Sequence, residues 1–474
     1  MNLPVDFEQY TRQLLGEQRY AQLTAGLQSV PSVTVRLHPL KAHSRLRVDN
    51  EPVPWATNAY YLQERPAFTY DPLFHAGCYY VQDASSMFLE QALRVVQSHT
   101  SIETVLDLCA APGGKSTLLR SLIPHDALLV ANEPMHPRDK ILQENLTKWG
   151  YTHTIVTNNY PSAFRPLRGF FDLVVADVPC SGEGMFRKDE QAIAEWSREN
   201  VQLCKERQQE ILREIWGTVK SNGFLLYSTC TFNRAENEEN VDWMVKEFGA
   251  QVLPIPTQPE WNIAPGTHPE DAPVYHFLPG CTRGEGIFFA LLQKPEVDEE
   301  PFVWSGVKRN EKGKKSARGN KLKTAATDYT LCKTWLRDAE SYQWEVKEDT
   351  LTALPNGRLI DMQAVGALLN TLSRGIEVAV RTPKGWQPTH TLAMSEALNR
   401  DVFPRIEVTY DQALSYLRHE SLTVDTDTPR GYLLICYRTH PLGFGKCVGG
   451  RINNLYPQEW RIRSGYTTPF ELLE

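Results

Sequence analysis

At 474 residues the chain is too long for one ordinary core, and at about 150 residues per domain it predicts roughly three domains. Its 41% hydrophobic content suits globular folding, and no stretch approaches the roughly 20 uninterrupted apolar residues of a bilayer span, so a membrane-embedded protein is not expected. The formal net charge of −7 argues against a chain that is basic all over, although a nucleic-acid binder needs only a local positive surface.

Met1 to Tyr20 carries Asp6, Glu8 and Glu17 and lacks the basic-then-apolar order of a secretory signal, which predicts a cytoplasmic protein. Nine cysteines, scattered without regular spacing, resemble neither a disulfide framework nor a C-x-x-C metal site. Reduced thiols and no metal are therefore expected.

The chain opens with an amphipathic helical pattern from Asp6 to about Leu27. It is followed by Val33–Leu37, which alternates like a strand and stops before Pro39. Residues 1–100 thus predict a small α+β module. From Thr104 the pattern changes to short apolar runs separated by longer helical ones: Val105–Cys109, Ala127–Glu133, His153–Asn158, Phe171–Asp177 and Phe224–Cys230. Strands alternating with helices imply right-handed βαβ units and a mainly parallel, doubly wound α/β sheet over residues 101–295, with Gly286–Leu292 closing it near Lys294. Between Lys308 and Lys323 eight basic residues face one acid, Glu311. Such a run predicts a flexible basic linker within 296–326. Residues 327–474, which include the apolar run Tyr432–Tyr437, predict a separate small mixed or β-rich region.

In a doubly wound sheet, ligands bind beyond the carboxyl ends of the strands, where the first strand-to-helix turn presents backbone amides. That turn is Cys109-Ala110-Ala111-Pro112-Gly113-Gly114-Lys115. Its glycines permit close backbone approach, and Lys115 offers a cation to a carboxylate or phosphate. The turn nearly matches a phosphate loop, with Cys109 in place of the first glycine, so a nucleotide triphosphatase is a rival reading. Glu133, 24 residues beyond Cys109, stands where a carboxylate can accept from both hydroxyls of a ribose; a surface acid at a helix start is the alternative. Asn158 or Asn159 can reach an adenine through its amide, or simply form a turn.

The fourth and fifth strands end near Asp177-Val-Pro-Cys180 and Ser228-Thr-Cys230, which puts two cysteines on the ligand side. A buried structural cysteine is the usual reading of any one of the nine. Two at the ligand edge suit methyl transfer onto carbon 5 of cytosine. That carbon becomes nucleophilic when a thiolate adds at carbon 6, and a second group must then remove its proton. Asp177 could hold a proton against N3 in a dry site.

At these residues, Ala-Pro-Gly-Gly-Lys, Asp-x-Pro-Cys-Ser-Gly and Ser-Thr-Cys in order, the sequence resembles the NOL1/NOP2/Sun family of RNA 5-methylcytosine methyltransferases. The resemblance implies a Rossmann-like core that uses S-adenosyl-L-methionine, with Cys230 as nucleophile and Cys180 assisting release. It also places cofactor contacts on Cys109 to Lys115, Glu133, the Asn158 or Asn159 position and Asp177. Many relatives have Asp-Ala-Pro-Cys and an aspartate after the third strand, where this chain has Val178 and asparagines. Upstream, Arg36-Leu-His-Pro-Leu-Lys41 and Tyr80–Ser86 resemble family segments, with His38 in place of the usual asparagine; RNA contact is expected at Arg36, Lys41 and Lys188. Pro441–Arg463 resembles the closing segment of the RsmF (YebU) subgroup, whose tail is a PUA-like RNA-binding module and whose substrate is small-subunit (16S) ribosomal RNA. Lys446, Arg451, Arg461 and Arg463, interleaved with Phe444, Tyr456 and Trp460, suit phosphate pairing and base stacking. A monomer acting on ribosomal RNA is expected, with a transfer-RNA enzyme and a catalytically dead RNA scaffold as alternatives; two retained cysteines count against the scaffold.

Overall fold

The computed structural model describes residues 1–42, 46–47, 50–298, 300, 302–306, 328–465 and 469–474. The basic run expected as a linker, Lys308 to Lys323, lies outside the described residues. No helix among those described is long and apolar enough to cross a membrane.

The first helix, Val5–Gln28, kinks at Gly16, whose φ of 74° breaks the helical run. Phe7, Leu23 and Leu27 on its apolar side pack against Phe186, Trp196 and Phe232. At Gly26 a side chain would meet the Pro279 carbonyl carbon at 2.2 Å, so glycine there lets the helix lie on the core backbone. Strands β1 (Val33–Leu37), β2 (Ala59–Leu62) and β3 (Tyr79–Val81) form an antiparallel sheet in the order β2-β1-β3.

The core strands are β4 (Thr104–Asp107), β5 (Leu128–Asn132), β6 (Thr154–Thr157), β7 (Phe171–Asp177) and β8 (Val219–Thr229). They run parallel in the order β8-β7-β4-β5-β6. Their near-continuous apolar runs reflect burial on both faces: β4 and β5 have no exposed residue, and helices cover either side. Three short strands complete one edge, β9 (Gln251–Leu253), β10 (Tyr275–Phe277) and β11 (Ile287–Gln293); β11 lies antiparallel to β8 and carries the other two. The run expected to close the sheet is therefore an inner strand.

The boundaries depart from those expected in two places. Helix Leu89–His99 buries Leu89, Leu93 and Val96 against Val105, Leu118 and Leu129, so it belongs to the core and the N-terminal module ends before it. Beyond residue 328 the chain is also not a detached unit. After β12 (Tyr342–Lys347) and β13 (Thr350–Pro355), strand β14 (Thr371–Arg374) pairs antiparallel with β6 and occupies the free edge of the core sheet. An uncovered edge leaves a row of unpaired N–H and C=O groups, which β14 satisfies. β15 (Ile376–Thr382) and β16 (Gly385–Pro388) join β12 and β13 in a four-stranded sheet. β17 (Arg405–Glu407), β18 (Leu422–Thr423), β19 (Gly431–Tyr437), β20 (His440–Cys447) and β21 (Arg451–Asn454) form a five-stranded one. That last sheet shares an apolar cluster with the N-terminal module, where Leu433, Ile435 and Tyr456 pack with Val35, Leu73 and Tyr79.

Arg36 illustrates how the modules are joined. It is 2% exposed, donates to Gln82 Oε1 at 3.0 Å and Thr117 Oγ1 at 2.7 Å, and lies over the Trp149 ring at 4.7 Å. Burial lowers its pKa to about 9. The expected RNA contact is thereby corrected: this guanidinium bridges β1 to the core helix Gly114–Leu122 and offers nothing to a phosphate. Lys41 is corrected likewise, since its ammonium donates to the carbonyls of Lys148 at 2.5 Å and Ala76 at 3.3 Å, and burial lowers its pKa to about 8. Arg36→Ala should destabilise the protein by about 2–3 kcal/mol, because it strands buried partners of a charged group. Urea unfolding monitored by tryptophan fluorescence would show it, and an unchanged midpoint would contradict the bridging role.

Candidate active site

β4 delivers the chain into the turn Leu108–Gly113, and the helix Gly114–Leu122 leaves from it. Gly113 has a φ of 112°, a conformation that disfavours any residue with a Cβ. A cleft of about 200 Å³ opens beside this turn, lined by Cys109 to Pro112, Gly114, Lys115 and Asp177, and on the far wall by Tyr80, Gln82 and Asp83. The segment Tyr80 to Ser86, which resembles a family segment, thus forms a wall of this cleft.

The charges around this cleft are mostly negative. Asp107 at the end of β4 is fully buried; its Oδ2 accepts from Ser116 Oγ at 2.6 Å, and its Oδ1 has no partner among the described residues. Burial pushes its pKa up to about 7. Glu133, 1% exposed, accepts from the Met135 N–H at 3.0 Å and the Ala111 N–H at 3.3 Å. A carboxylate has about four acceptor positions, so capacity remains for hydroxyls. Lys115 Nζ lies 2.7 Å from Asp177 Oδ2, and Asp177 Oδ1 accepts from Ser228 Oγ at 2.8 Å. Burial opposes the charge of Lys115, yet the Asp177 carboxylate carries its pKa above the usual lysine range.

With Lys115 neutralised by Asp177, the turn next to Asp107 and Glu133 would repel a triphosphate, which disfavours the phosphate-loop reading. A cationic ligand fits. The ammonium and sulfonium of S-adenosyl-L-methionine suit a cleft with acidic surroundings, lined by Asp83 and Asp177, while the orphaned Asp107 oxygen and the Glu133 carboxylate lie buried behind the turn rather than on the cleft wall. Asp107 was hidden in the sequence inside an apolar run; an acid that ends a buried strand just before a glycine turn is the signal that could have found it. The two asparagines separate: Asn159 spends its amide on Asn370, donating to the Asn370 carbonyl and accepting from its N–H. Asn158 donates to the Glu133 carbonyl at 2.7 Å, and its Oδ1 has no partner among the described residues.

The two cysteines meet. Cys180 follows β7 by three residues and Cys230 directly follows β8. Their Sγ atoms are 3.1 Å apart, and the Cys230 N–H donates to Cys180 Sγ at 3.3 Å. Both are free thiols, at a separation well beyond the roughly 2.05 Å of a disulfide. The hydrogen bond with Cys230, then burial, holds the Cys180 thiol well above its ordinary pKa. Other thiols differ: Cys78, Cys332, Cys436 and Cys447 are buried among apolar groups, where a cysteine acts as a small hydrophobe, and Cys204 is buried beside Asn200. Burial likewise raises the pKa of Cys109.

The surface residues divide as well. Lys188 reaches Glu285 at 2.7 Å but keeps 41% of its side chain exposed. Arg451, Arg461 and Arg463 are exposed, and Lys446 is half-buried over the Tyr432 ring. Phe444 and Tyr456 are 1% exposed, packed on Phe403 and Tyr416. The expectation that they stack on bases is corrected, because both are core. Trp460 is half-buried against His390. Among the described residues, no group of three or more His, Cys, Asp or Glu is arranged to hold a metal ion.

Comparison with known proteins agrees over most of the chain. Family models match in tandem: the N-terminal domain of 16S rRNA methyltransferase RsmF over residues 3–84, 16S rRNA methyltransferase RsmB/F over 95–293, and the methyltransferase RsmF PUA domain over 403–462. Ribosomal RNA small subunit methyltransferase F of Erwinia tasmaniensis is 29% identical over 434 residues, 87% of this chain and 85% of that one. Its namesake from Shewanella oneidensis is 29% identical over 418 residues, 86% and 85% of the two chains. Two solved structures share the fold: NSun6 from Pyrococcus horikoshii with SFG (TM-score 0.51, 17% identity, 62% of this chain and 99% of that one) and a methyltransferase homolog protein from the same organism (0.50, 23%, 62% and 100%). With its Rossmann-like core, its acidic cofactor cleft and flanking modules that match in the same order, the chain belongs to the RsmB/F family of S-adenosyl-L-methionine-dependent 16S rRNA methyltransferases.

Proposed function

We propose that this protein methylates carbon 5 of a cytosine in 16S ribosomal RNA through a covalent adduct on Cys230. The observation that carries the reading is the pair of free thiols 3.1 Å apart at the carboxyl ends of adjacent parallel strands, beside the Lys115–Asp177 pair. In this reading the Cys230 thiolate bonds to carbon 6 of the cytosine and moves the carbon 5–carbon 6 electron pair toward carbon 5. When bound, S-adenosyl-L-methionine supplies the electrophilic methyl group. The Lys115–Asp177 ion pair, held in place with Ser228, faces N3, passes it a proton from Lys115 through Asp177 as the ring accepts charge, and takes that proton back as Cys230 leaves. Cys180 then removes the carbon 5 proton, the double bond re-forms, and the carbon 6–sulfur bond breaks to return Cys230.

Asp107, Glu133 and the turn Cys109 to Lys115 hold the cofactor, with Asn158 the asparagine that keeps an amide oxygen for adenine. The exposed arginines Arg451, Arg461 and Arg463, with Lys446 and Lys188, provide the RNA phosphate contacts. Absence of 5-methylcytosine from 16S RNA in bisulfite sequencing of a deletion strain would support this substrate; a loss from transfer RNA instead would overturn it.

Cys230→Ala should abolish methylation. Cys180→Ala should still form the carbon 6–sulfur bond but release product slowly, leaving a protein–RNA adduct that survives denaturing electrophoresis; normal turnover by that variant would refute the division of labour. Asp107→Asn should weaken S-adenosyl-L-methionine binding by about 10-fold or more, the worth of one charged hydrogen bond, as read by calorimetry. Because the free protein holds the Asp107 carboxyl at about 7, wild-type affinity should fall as pH drops below that value, where the group takes up a proton and loses its charge. The Asn variant should lack this dependence.

A further inference from the structure

Behind the two thiols lies a buried polar layer that the methyl transfer does not itself use. Glu183, three residues beyond Cys180, is fully buried. Its Oε2 accepts the backbone N–H of Phe232 at 2.7 Å and of Asn233 at 3.0 Å, in the segment that follows Cys230. Its Oε1 accepts from Trp196 Nε1 at 2.9 Å and Asn233 Nδ2 at 3.1 Å. Glu236, six residues beyond Cys230 and also fully buried, reaches the opposite way. Its Oε2 accepts the backbone N–H of Ser181 at 3.0 Å and Gln208 Nε2 at 2.7 Å, and its Oε1 accepts Asn233 Nδ2 at 2.7 Å. Each cysteine-bearing segment therefore carries a carboxylate that grips the other. The Gly184 N–H donates to the Cys230 carbonyl at 2.9 Å, Ser181 Oγ lies 2.9 Å from Thr231 Oγ1, and Gln208 donates to the Pro179 carbonyl at 3.0 Å.

Two carboxylates taken out of water are expensive, and burial pushes the Glu236 carboxyl up to about 7. Apolar residues of similar volume in such a place are often neutral or stabilising, so a joint needed only for stability has a cheaper form. A carboxylate adds direction, because its lone pairs fix named N–H donors and charge strengthens each bond. Direction matters here, since a misplacement of about 1 Å between reacting groups can cost on the order of 100-fold in rate.

We propose that Glu183 and Glu236 are positioning residues that form a reciprocal clasp setting the separation of the two thiols, Glu183 holding the segment of Cys230 and Glu236 that of Cys180. The clasp stands on the hydrogen bonds alone, whereas its catalytic consequences rest on the methyl-transfer reading above. Those consequences are asymmetric. Loss of the Glu236 grip frees Cys180, so the adduct forms and lingers. Loss of the Glu183 grip frees Cys230, so the adduct forms slowly in the first place.

Two readouts on the full chain test this. Diamide, an azo oxidant that is reduced to a hydrazine as it takes two protons and two electrons from a thiol pair, should close a Cys180–Cys230 disulfide in the wild type, followed by peptide mass spectrometry. In Glu236→Gln and in Glu183→Gln closure should be about 10-fold slower. In turnover with 16S RNA, Glu236→Gln should lower kcat about 10- to 100-fold, lower KM with it and accumulate adduct, while Glu183→Gln should lower kcat without accumulation. If either variant fails to fold, Gln208→Ala, which frees the Pro179 carbonyl and one side of Glu236, takes its place and should behave as Glu236→Gln. Closure at the wild-type rate in the variants overturns the clasp. Slow closure with no adduct in any protein, Cys180→Ala included, supports the clasp and overturns the methyl-transfer reading instead.

Discussion

Strands β7 and β8 lie side by side and parallel, in register from Leu173 against Phe224 to Asp177 against Ser228, and everything at the site depends on that pairing. Neighbouring strands are about 4.8 Å apart, so whatever leaves their carboxyl ends starts within one strand spacing. The chain then needs only a short Asp177–Cys180 segment on one side and a single step to Cys230 on the other to bring two sulfurs to 3.1 Å. The Asp177–Ser228 hydrogen bond links the same two strand ends. A slip of one residue in this register would turn every side chain of the slipped strand to the other face of the sheet and part the pair, so the apolar core that fixes the register also fixes the approach of the two sulfurs.

The acidic character of the cofactor cleft follows from the same geometry. Asp107, Glu133 and Asp177 each stand at or just beyond the end of a different parallel strand, so the ordering of the sheet gathers three carboxyl groups around one turn. Lys115 offsets one of them through its ion pair, and Arg138 lies 3.8 Å from a second, Glu133. The surroundings so gathered are acidic on balance although the turn itself is shaped like a phosphate loop, which is the sense in which the sign of the surroundings bears on the proposed ligand.

Much of this was legible in the sequence because it rests on local pattern. Strands buried on both faces write themselves as short apolar runs, and residues at their carboxyl ends announce a site, which is how Cys180, Cys230 and the Cys109 to Lys115 turn could be placed. What failed depends on partners far away in the chain. Arg36 and Lys41 look like any surface cations until the core helix and the Lys148 carbonyl close over them. Phe444 and Tyr456 sit among arginines in sequence but face inward in space. Strand β14 is four residues of only half-buried character, too short and mixed for any periodicity to mark it. Glu236 lies in the acidic run Glu236–Glu239, which reads as a solvated helix start, and only the Ser181 N–H arriving from 55 residues upstream gives it a task.

The flanking modules are bound to the core in ways that bear on how a large RNA can be held. β14 extends the core sheet with a strand from the C-terminal region, and the five-stranded sheet that carries Arg451 shares its apolar cluster with the N-terminal module. The N-terminal helix in turn presses Phe7 against Phe186 and Trp196 on the flank of the catalytic segment. These contacts close a ring: N-terminal module to core, core to β14, and C-terminal sheet back to the N-terminal module. A ring of packed contacts resists hinge motion more than a chain of domains joined by linkers does, since opening it at one joint strains the others. Arg451 on the C-terminal sheet is therefore carried by the same packed ring of modules that holds the thiol pair.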